Sequence, residues 1–278
     1  MLTGACLSLP IEMHGRGGSV ERYLPVVGLD PKERCTVSVR ELGRRIVLGV
    51  DATSPRSHII RRILRPARLQ LFLMKARAPS DRFAHSRGKP INRRYIEEFL
   101  ATNRDRIRGK CLEVNDPRYI DQFGGEQVDV ADVLDIDVSN PQATVVGDLQ
   151  DLTAVTSNTY DCAIVTSVFQ FLEDPAAGAG ELFRVLAPGG TALVTAPALG
   201  PADFKDADRW RFFPLCFETI FGEHFGSEDV SVTSYGNMLT CLAYLAGLAQ
   251  EDLPRRAWGF HDPVYPLVVA VRATKPLA

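Results

Sequence analysis

Three carboxylates stand at or near the ends of short apolar runs, where they could bind a nucleoside. Glu113 lies in the run LEV, and Asp132 follows it by nineteen residues. A carboxylate about 20 residues after the first strand–helix turn of a dinucleotide-binding fold binds ribose, and its two oxygens can accept from both ribose hydroxyls. Asp148 follows a later apolar run, where it could accept a hydrogen bond from the exocyclic amine of adenine.

Each of these carboxylates also has a simpler interpretation. Glu113 could order the following loop by accepting backbone N–H bonds, and Asp148 could cap a helix. For Asp132 the question is which acid of the same stretch ends the strand. The competing residues are Asp129, Asp135 and Asp137.

The elements that must position these residues alternate between strands and helices. Seven apolar runs predict strands, at residues 110–114, 128–134, 143–147, 161–166, 190–196, 229–235 and 266–273. A helix is predicted over residues 91–108, because Ile91, Tyr95, Ile96 and Phe99 recur at helical spacing. Strands alternating with helices indicate βαβ units around a buried parallel sheet. Such sheets bind ligands beyond the carboxyl ends of their strands.

The charge distribution divides the chain into two parts. Residues 40–94 carry 15 lysines and arginines against three acidic residues, a net charge of +12. Residues 95–278 carry 13 against 27, a net charge of −14. Proline and glycine make residues 78–90 a linker. We therefore predict an N-terminal extension at residues 1–89, basic and partly irregular, followed by one domain at residues 90–278.

Two neighbouring segments carry a specific resemblance to a known family. Residues 181–197 read ELFRVLAPGGTALVTAP, a helix ending in R-x-L-x-P-G-G before an apolar strand, and residues 160–175 read YDCAIVTSVFQFLEDP. With these motifs the chain from Pro90 onward resembles the class I S-adenosylmethionine-dependent methyltransferases. The resemblance implies a Rossmann-like α/β fold with a seven-stranded, mostly parallel sheet and an antiparallel last strand. It also implies S-adenosyl-L-methionine as the cofactor.

The first motif departs from the pattern of that family, which reads acid-x-G-x-G-x-G. Here Glu113 and Val114 are followed by Asn115, and no glycine occurs before Gly124. Asparagine adopts left-handed backbone angles more readily than most residues, so the turn can survive. The stretch is similar to a bacterial subset, often found with glycan or natural-product pathways, in which Asn115 takes the glycine position. The other segments shared with this subset are residues 87–96, 208–210, 235–237 and 261–266.

The resemblance implies a set of cofactor contacts. The expected residues are Arg93, Tyr95, Glu113, Asn115, Asp132, Val133, Asp148, Leu149, Thr166 and Gln170. Gln170 is expected to face the methionine part of the cofactor. Arg93 and Tyr95 precede the first strand and could reach the cofactor carboxylate, the alternative being packing or solvation.

The acceptor is expected to be a small polar molecule, with a sugar or natural-product hydroxyl or amine as the nucleophile. His261 precedes the antiparallel last strand, which starts at the cofactor edge, so it is the candidate base for a hydroxyl. A capping histidine is the alternative. The expected substrate contacts are Asp208, Trp210, Arg211, Asn237 and Asp262. We expect no metal. A non-catalytic partner subunit is the alternative function, since the glycine motif is degenerate.

Composition limits the other functional classes. The six cysteines form no C-x-x-C pair and are predicted to be buried free thiols of a reducing compartment. Residues 1–15 lack a signal-peptide pattern, so a cytoplasmic location is expected. The basic segment 58–77 has only Phe72 among its charges, and nucleic acid is not expected. This segment could dock on the acidic domain or make a weak contact with a membrane surface or an anion. The oligomeric state stays open.

Overall fold

The chain forms two units, each described separately. The structure, a computed structural model, describes residues 7–11, 22–26, 88–202 and 207–277. The units are Met1–Met74 and Lys75–Ala278. In the first unit, β1 (Leu7–Ile11) and β2 (Arg22–Val26) pair as antiparallel strands. The predicted basic segment at 58–77 lies outside the described residues, and the predicted domain boundary after residue 89 stays a prediction.

Seven strands of the second unit form one open sheet. They are β3 (Gly109–Val114), β4 (Val128–Asp135), β5 (Val145–Val146), β6 (Tyr160–Thr166), β7 (Leu186–Pro197), β8 (Val230–Tyr235) and β9 (Val268–Thr274). Their order across the sheet is β5-β4-β3-β6-β7-β9-β8. The first five pair in parallel, whereas β9 runs antiparallel to both β7 and β8. The predicted Rossmann-like sheet with an antiparallel last strand is confirmed.

Two strands differ in length from their predictions. The strand predicted at 143–147 contains only two residues, because the N–H of Ala143 turns back to the carbonyl of Asn140 at 3.2 Å. Strand β7 begins at Leu186 rather than at residue 190. A side chain at Gly190 would lie 2.8 Å from two backbone carbonyl oxygens, so close backbone approach requires glycine there.

Among the described residues, four α-helices cover the two faces of the sheet. They are α1 (Ile91–Thr102), α2 (Pro175–Val185), α3 (Pro214–Phe225) and α4 (Met238–Leu245). The apolar faces of α2 and α3 pack into one hydrophobic core, and those of α1 and α4 pack into another. Burying both faces explains the continuous apolar runs of the central strands.

Local sequence explains where two helices begin and end. The predicted apolar face of α1 is buried, but the helix stops at Thr102 and a 3₁₀ turn at Arg104–Arg106 replaces its predicted last part. Helix α2 begins after Asp174, whose carboxylate accepts from the N–H groups of Ala176 at 2.9 Å and Ala177 at 3.1 Å. Within the described part of the chain, none of the helices is long and apolar enough to cross a membrane.

Candidate functional site

The loop after β3 is ordered by the buried carboxylate of Glu113. It accepts the backbone N–H of Tyr119 at 3.0 Å and that of Ile120 at 2.8 Å, where a short π-helical turn begins. The side chain is only 3% exposed, and burial raises the pKa of Glu113 to about 7, although the two N–H donors act to lower it. Glu113 therefore shapes this loop through backbone hydrogen bonds.

Asn115 takes the place of the missing glycine with a left-handed backbone. Its φ is 76°, and its N–H donates to the carbonyl of Leu134 on the neighbouring strand at 2.9 Å. The side-chain amide of Asn140 donates to the Asn115 carbonyl at 2.8 Å. The turn therefore survives without glycine, as expected from the tolerance of asparagine for this conformation.

We expect Asn115→Val to lower the free energy of unfolding by about 1–2 kcal/mol, because a β-branched residue is strained in the left-handed region. Asn115→Gly is the matched control and should stay within about 1 kcal/mol of the wild type. Urea unfolding of the three proteins measures both differences. Equal stability of the valine variant would show that the turn is not left-handed.

A cleft of about 410 Å³ opens at the carboxyl ends of the central strands. Glu113 and Asn115 line it from the end of β3, Thr166 and Gln170 from the end of β6, and Pro197 from the end of β7. Helices α1 and α4 complete its wall. From β3 the chain continues to β4 on one side of β3 and later to β6 on the other side. The cleft therefore lies at the topological switch point of the sheet. The volume suits a small ligand.

Two buried amide oxygens in the cleft lack hydrogen-bond partners among the described residues. They are Oδ1 of Asn92, on the first turn of α1, and Oε1 of Gln170. The Nε2 of Gln170 donates to the carbonyl of Ser167 at 2.9 Å, which fixes the amide in place. Buried acceptors without donors are costly, so the cleft is suited to a ligand that donates hydrogen bonds. Arg93 also lines the cleft and offers a positive charge.

The outer wall of the cleft contains a charged pair between Asp208 and Arg211. The guanidinium donates to both carboxylate oxygens, at 2.5 and 2.7 Å, and Nη2 also donates to the Pro201 carbonyl at 2.9 Å. The Asp208 side chain is only 2% exposed. Arg211 therefore links Asp208 to Pro201 beside the cleft.

The cleft brings together part of the predicted site. The predicted residues that line it are Arg93, Glu113, Asn115, Thr166, Gln170, Asp208 and Arg211. Those outside its wall are Tyr95, Asp132, Val133, Asp148, Leu149, Trp210, Asn237, His261 and Asp262. Asn92 also lines the cleft and was not predicted from the sequence.

Asp132 lies within β4 rather than at its end. Its carboxylate accepts from the hydroxyls of Thr144 at 2.8 Å and Tyr160 at 3.1 Å, and Lys110 Nζ lies 3.3 Å away. Burial opposes ionisation, but these donors hold the pKa of Asp132 below its ordinary value. The structure therefore uses Asp132 to join three strands at a distance from the cleft.

The acid at the end of β4 is Asp135, one of the competing residues of the sequence. Its carboxylate accepts from the side-chain amide of Asn140 at 2.6 Å, and the same amide donates to the carbonyl of Asn115. Asp135 is thereby linked to the turn that lines the cleft. Its position at the strand end is the one that the prediction gave to Asp132.

His261 does not face the cleft. Its Nε2 lies 3.1 Å from a carboxylate oxygen of Glu98 on α1, and its ring packs edge-on against Tyr95 and Tyr235, at 5.5 and 5.1 Å between centroids. Tyr95 is fully buried, and its hydroxyl donates to Thr240 at 3.1 Å. Tyr95 therefore joins α1 to α4, and His261 joins α1 to the loop before β9, so neither is placed for the predicted role.

The other predicted residues outside the cleft have contacts of their own. The carboxylate of Asp148 accepts from the N–H of Gln150 at 2.9 Å, and that of Asp262 accepts from the N–H of Val264 at 3.0 Å. The side chains of Val133 and Leu149 are buried.

Two predicted substrate residues donate side-chain hydrogen bonds to nearby backbone carbonyls. The indole N–H of Trp210 donates to the Leu172 carbonyl at 2.8 Å. Asn237 caps α4 and donates to the carbonyls of Ala257 and Phe260, both at 2.8 Å. No group of three His, Cys, Asp or Glu side chains in the described part of the chain could hold a metal ion.

Comparisons with known proteins give a family match. The model of the family described as "Methyltransferase domain" matches residues 122–194. Similar solved structures include a SAM-dependent methyltransferase from Archaeoglobus fulgidus, 12% identical, with 66% of this chain and 94% of that chain covered and a TM-score of 0.45. Another, from Thermotoga maritima, is a SAM-dependent methyltransferase described as a possible histamine N-methyltransferase, with 14% identity, coverages of 78% and 99%, and a TM-score of 0.44. Comparison with curated proteins gives no match.

The strand order, the antiparallel β9 and the cleft at the switch point define a Rossmann-like α/β domain. The family match falls on the same domain. Residues 122–194 of this domain are thus similar to methyltransferase domains.

Proposed function

We propose that this chain is an S-adenosyl-L-methionine-dependent methyltransferase that transfers a methyl group to a small polar acceptor, such as the hydroxyl or amine of a sugar or natural product, in a cytoplasmic biosynthetic pathway. The observation that carries the proposal is the polar cleft at the switch point, with two buried amide oxygens and an arginine on one wall. Its volume of about 410 Å³ suits small ligands.

The residues of the cleft fit the cofactor. The unpartnered oxygens of Asn92 and Gln170 would accept hydrogen bonds from the ammonium of its methionine part, and Arg93 would pair with its carboxylate. Asp135, at the end of β4, would accept from the ribose hydroxyls. The bound cofactor supplies an activated methyl group on a sulfonium.

The protein itself then has to hold the acceptor in line and exclude water. The wall on the α4 side, with Tyr244 and the Asp208–Arg211 pair, would contact the acceptor. The described lining contains no histidine, so proximity and orientation carry more of the rate than a dedicated base would. The left-handed turn at Asn115 also removes the main reason for a non-catalytic alternative.

Binding of S-adenosylhomocysteine tests the cofactor site. Asp135→Ala should weaken that binding by about 1–3 kcal/mol, or roughly 5- to 150-fold, because hydrogen bonds to a charged acceptor are lost. Asp132→Ala is the matched control in the same strand and should leave the dissociation constant within about twofold of the wild type. Isothermal calorimetry on the purified full chain measures both.

The outcomes separate the alternatives. If Asp132→Ala weakens binding and Asp135→Ala does not, the assignment of the strand end is wrong. No binding by the wild type at millimolar ligand would contradict the proposed function itself. Transfer of a labelled methyl group to a candidate acceptor, followed by product analysis, then identifies the methylated atom.

A further inference from the structure

The side-chain amide of Gln170 has one end bonded to the protein and one end facing the cleft. The residue is only 5% exposed, and its Nε2 donates to the carbonyl of Ser167 at 2.9 Å. Because a carbonyl can only accept, this bond also fixes Oε1 as the end that faces the cleft. Among the described residues, Oε1 has no hydrogen-bond partner. Leaving a buried acceptor unpaired is costly, and a residue that only held the turn together would gain nothing from it.

The turn that precedes Gln170 depends on hydrogen bonds for its shape. Ser167 has a φ of 57°, a left-handed conformation that is uncommon for residues other than glycine. Its N–H donates to the carbonyl of Thr195 on β7 at 2.8 Å, and its carbonyl receives the amide of Gln170. The side chain of Gln170 is therefore bonded across the turn that sets the position of its own backbone.

The backbone carbonyl of Gln170 holds part of the outer wall of the cleft. We name residues 208–211 the outer segment. The Gln170 carbonyl accepts the N–H of Arg209 at 2.8 Å and that of Trp210 at 3.1 Å. The first and last residues of the outer segment line the cleft on either side of these two. One residue thus contacts the interior of the cleft with its side chain and the outer segment with its backbone.

We propose that Gln170 is a positioning residue: a ligand hydrogen-bonded to its side chain stabilises the outer segment, so that the acceptor binds more tightly after the cofactor. The inference rests on the proposed function, in which the ammonium of the cofactor donates to Oε1 and the outer segment contacts the acceptor. Opening of the outer segment breaks its two bonds to Gln170. A ligand that binds the closed form better than the open form shifts this equilibrium toward the closed form. The coupling is reciprocal, so a bound acceptor strengthens cofactor binding by the same factor.

Amide hydrogen exchange of the full-length chain, followed at single residues by NMR, tests the proposal with S-adenosylhomocysteine as the ligand. At ten times the dissociation constant, exchange at Arg209 and Trp210 should slow at least about threefold, with roughly tenfold as the ceiling for an open form that does not bind. The amide of Gly189, near the opposite end of β7, donates to the carbonyl of Lys275 at 2.8 Å. It is the internal reference, and its exchange should not change.

Two variants separate this coupling from affinity. Gln170→Met keeps the backbone bonds and removes both ends of the amide, so exchange at Arg209 and Trp210 should no longer respond to the ligand. Asn92→Ala is the matched control, because it removes the other buried amide oxygen of the cleft that lacks a partner in the described part of the chain. It should weaken binding, yet at ten times its own dissociation constant the two amides should slow as they do in the wild type.

The outcomes distinguish failure of the inference from failure of the proposed function. If the wild type binds the ligand but exchange at Arg209 and Trp210 does not slow, the inference alone is overturned. Equal slowing at Gly189, or slowing in Gln170→Met as large as in the wild type, overturns it too, as does loss of the response in Asn92→Ala at saturation. A wild type that does not bind S-adenosylhomocysteine overturns the proposed function and the inference together.

Discussion

The free energy of unfolding of the wild type is expected to fall by roughly 3 kcal/mol between mildly acidic and neutral pH because of Glu113. The Glu113→Gln variant is expected not to show this fall. Burial raises the pKa of Glu113 from its ordinary value of 4.5 to about 7. In that interval the folded chain holds a proton that the unfolded chain has released. The contribution of the group is therefore fully present below pH 4.5 and is lost as the pH rises to about 7. A neutral glutamine shows no such change.

The measurement is the difference in free energy of unfolding between wild type and variant across this range. Glu181→Gln is a control of opposite sign, because the hydrogen bond from Arg184 lowers the pKa of Glu181. The stability that this carboxylate contributes is present above its unfolded pKa and lost as the pH falls. A difference curve for Glu113→Gln that is flat, or that has the sign of the control, would contradict the prediction.

Removing the carboxylate of Asp208 is expected to lower the free energy of unfolding by about 3 kcal/mol. Its side chain is only 2% exposed, and it accepts two hydrogen bonds from the guanidinium of Arg211. Bidentate pairs of this kind are among the stronger polar interactions, and breaking a buried pair leaves its partner charge poorly compensated. Urea unfolding of Asp208→Ala measures the loss.

The neighbouring pair Glu173–Arg209 provides the control. Its two side chains are 76% and 46% exposed, so Glu173→Ala should change stability by no more than about 0.5 kcal/mol. The contrast tests burial, since both pairs join an acid to an arginine of the same loop. If the two variants lose similar stability, the Asp208–Arg211 pair is solvated and the loop is held by other contacts.

The sheet was predictable because its central strands have long apolar runs. Central strands buried on both faces give continuous apolar runs, and β6 contains five fully or nearly fully buried residues among its seven. The edge strand β5 contains only two residues, so its sequence signal extends further than the strand itself. Strand ends depend on neighbouring strands, which a single sequence does not display.

The site was harder to predict for the same reason. Asp129, Asp132 and Asp135 are all plausible strand ends in sequence, and pairing of Asp135 with Val146 on β5 decides among them. For His261 the edge of the sheet was right, but the ring turns toward Tyr95 and Tyr235, and sequence spacing does not give that direction. Asn92 was not predicted as a site residue, although it precedes the predicted Arg93 on the first turn of α1.

Two cysteines of the central strands can report when these strands come apart. Cys111 and Cys162 stand opposite each other on β3 and β6, and both are fully buried, whereas Cys216 is exposed. A thiol reagent modifies Cys216 at once but reaches the buried pair only after the strands part, which in a sheet centre requires nearly global opening. Peptide mapping of the modified chain thus measures the rate of these openings, and no added label is needed. If S-adenosylhomocysteine slows that reaction, the decrease in rate measures how much the ligand stabilises the folded sheet.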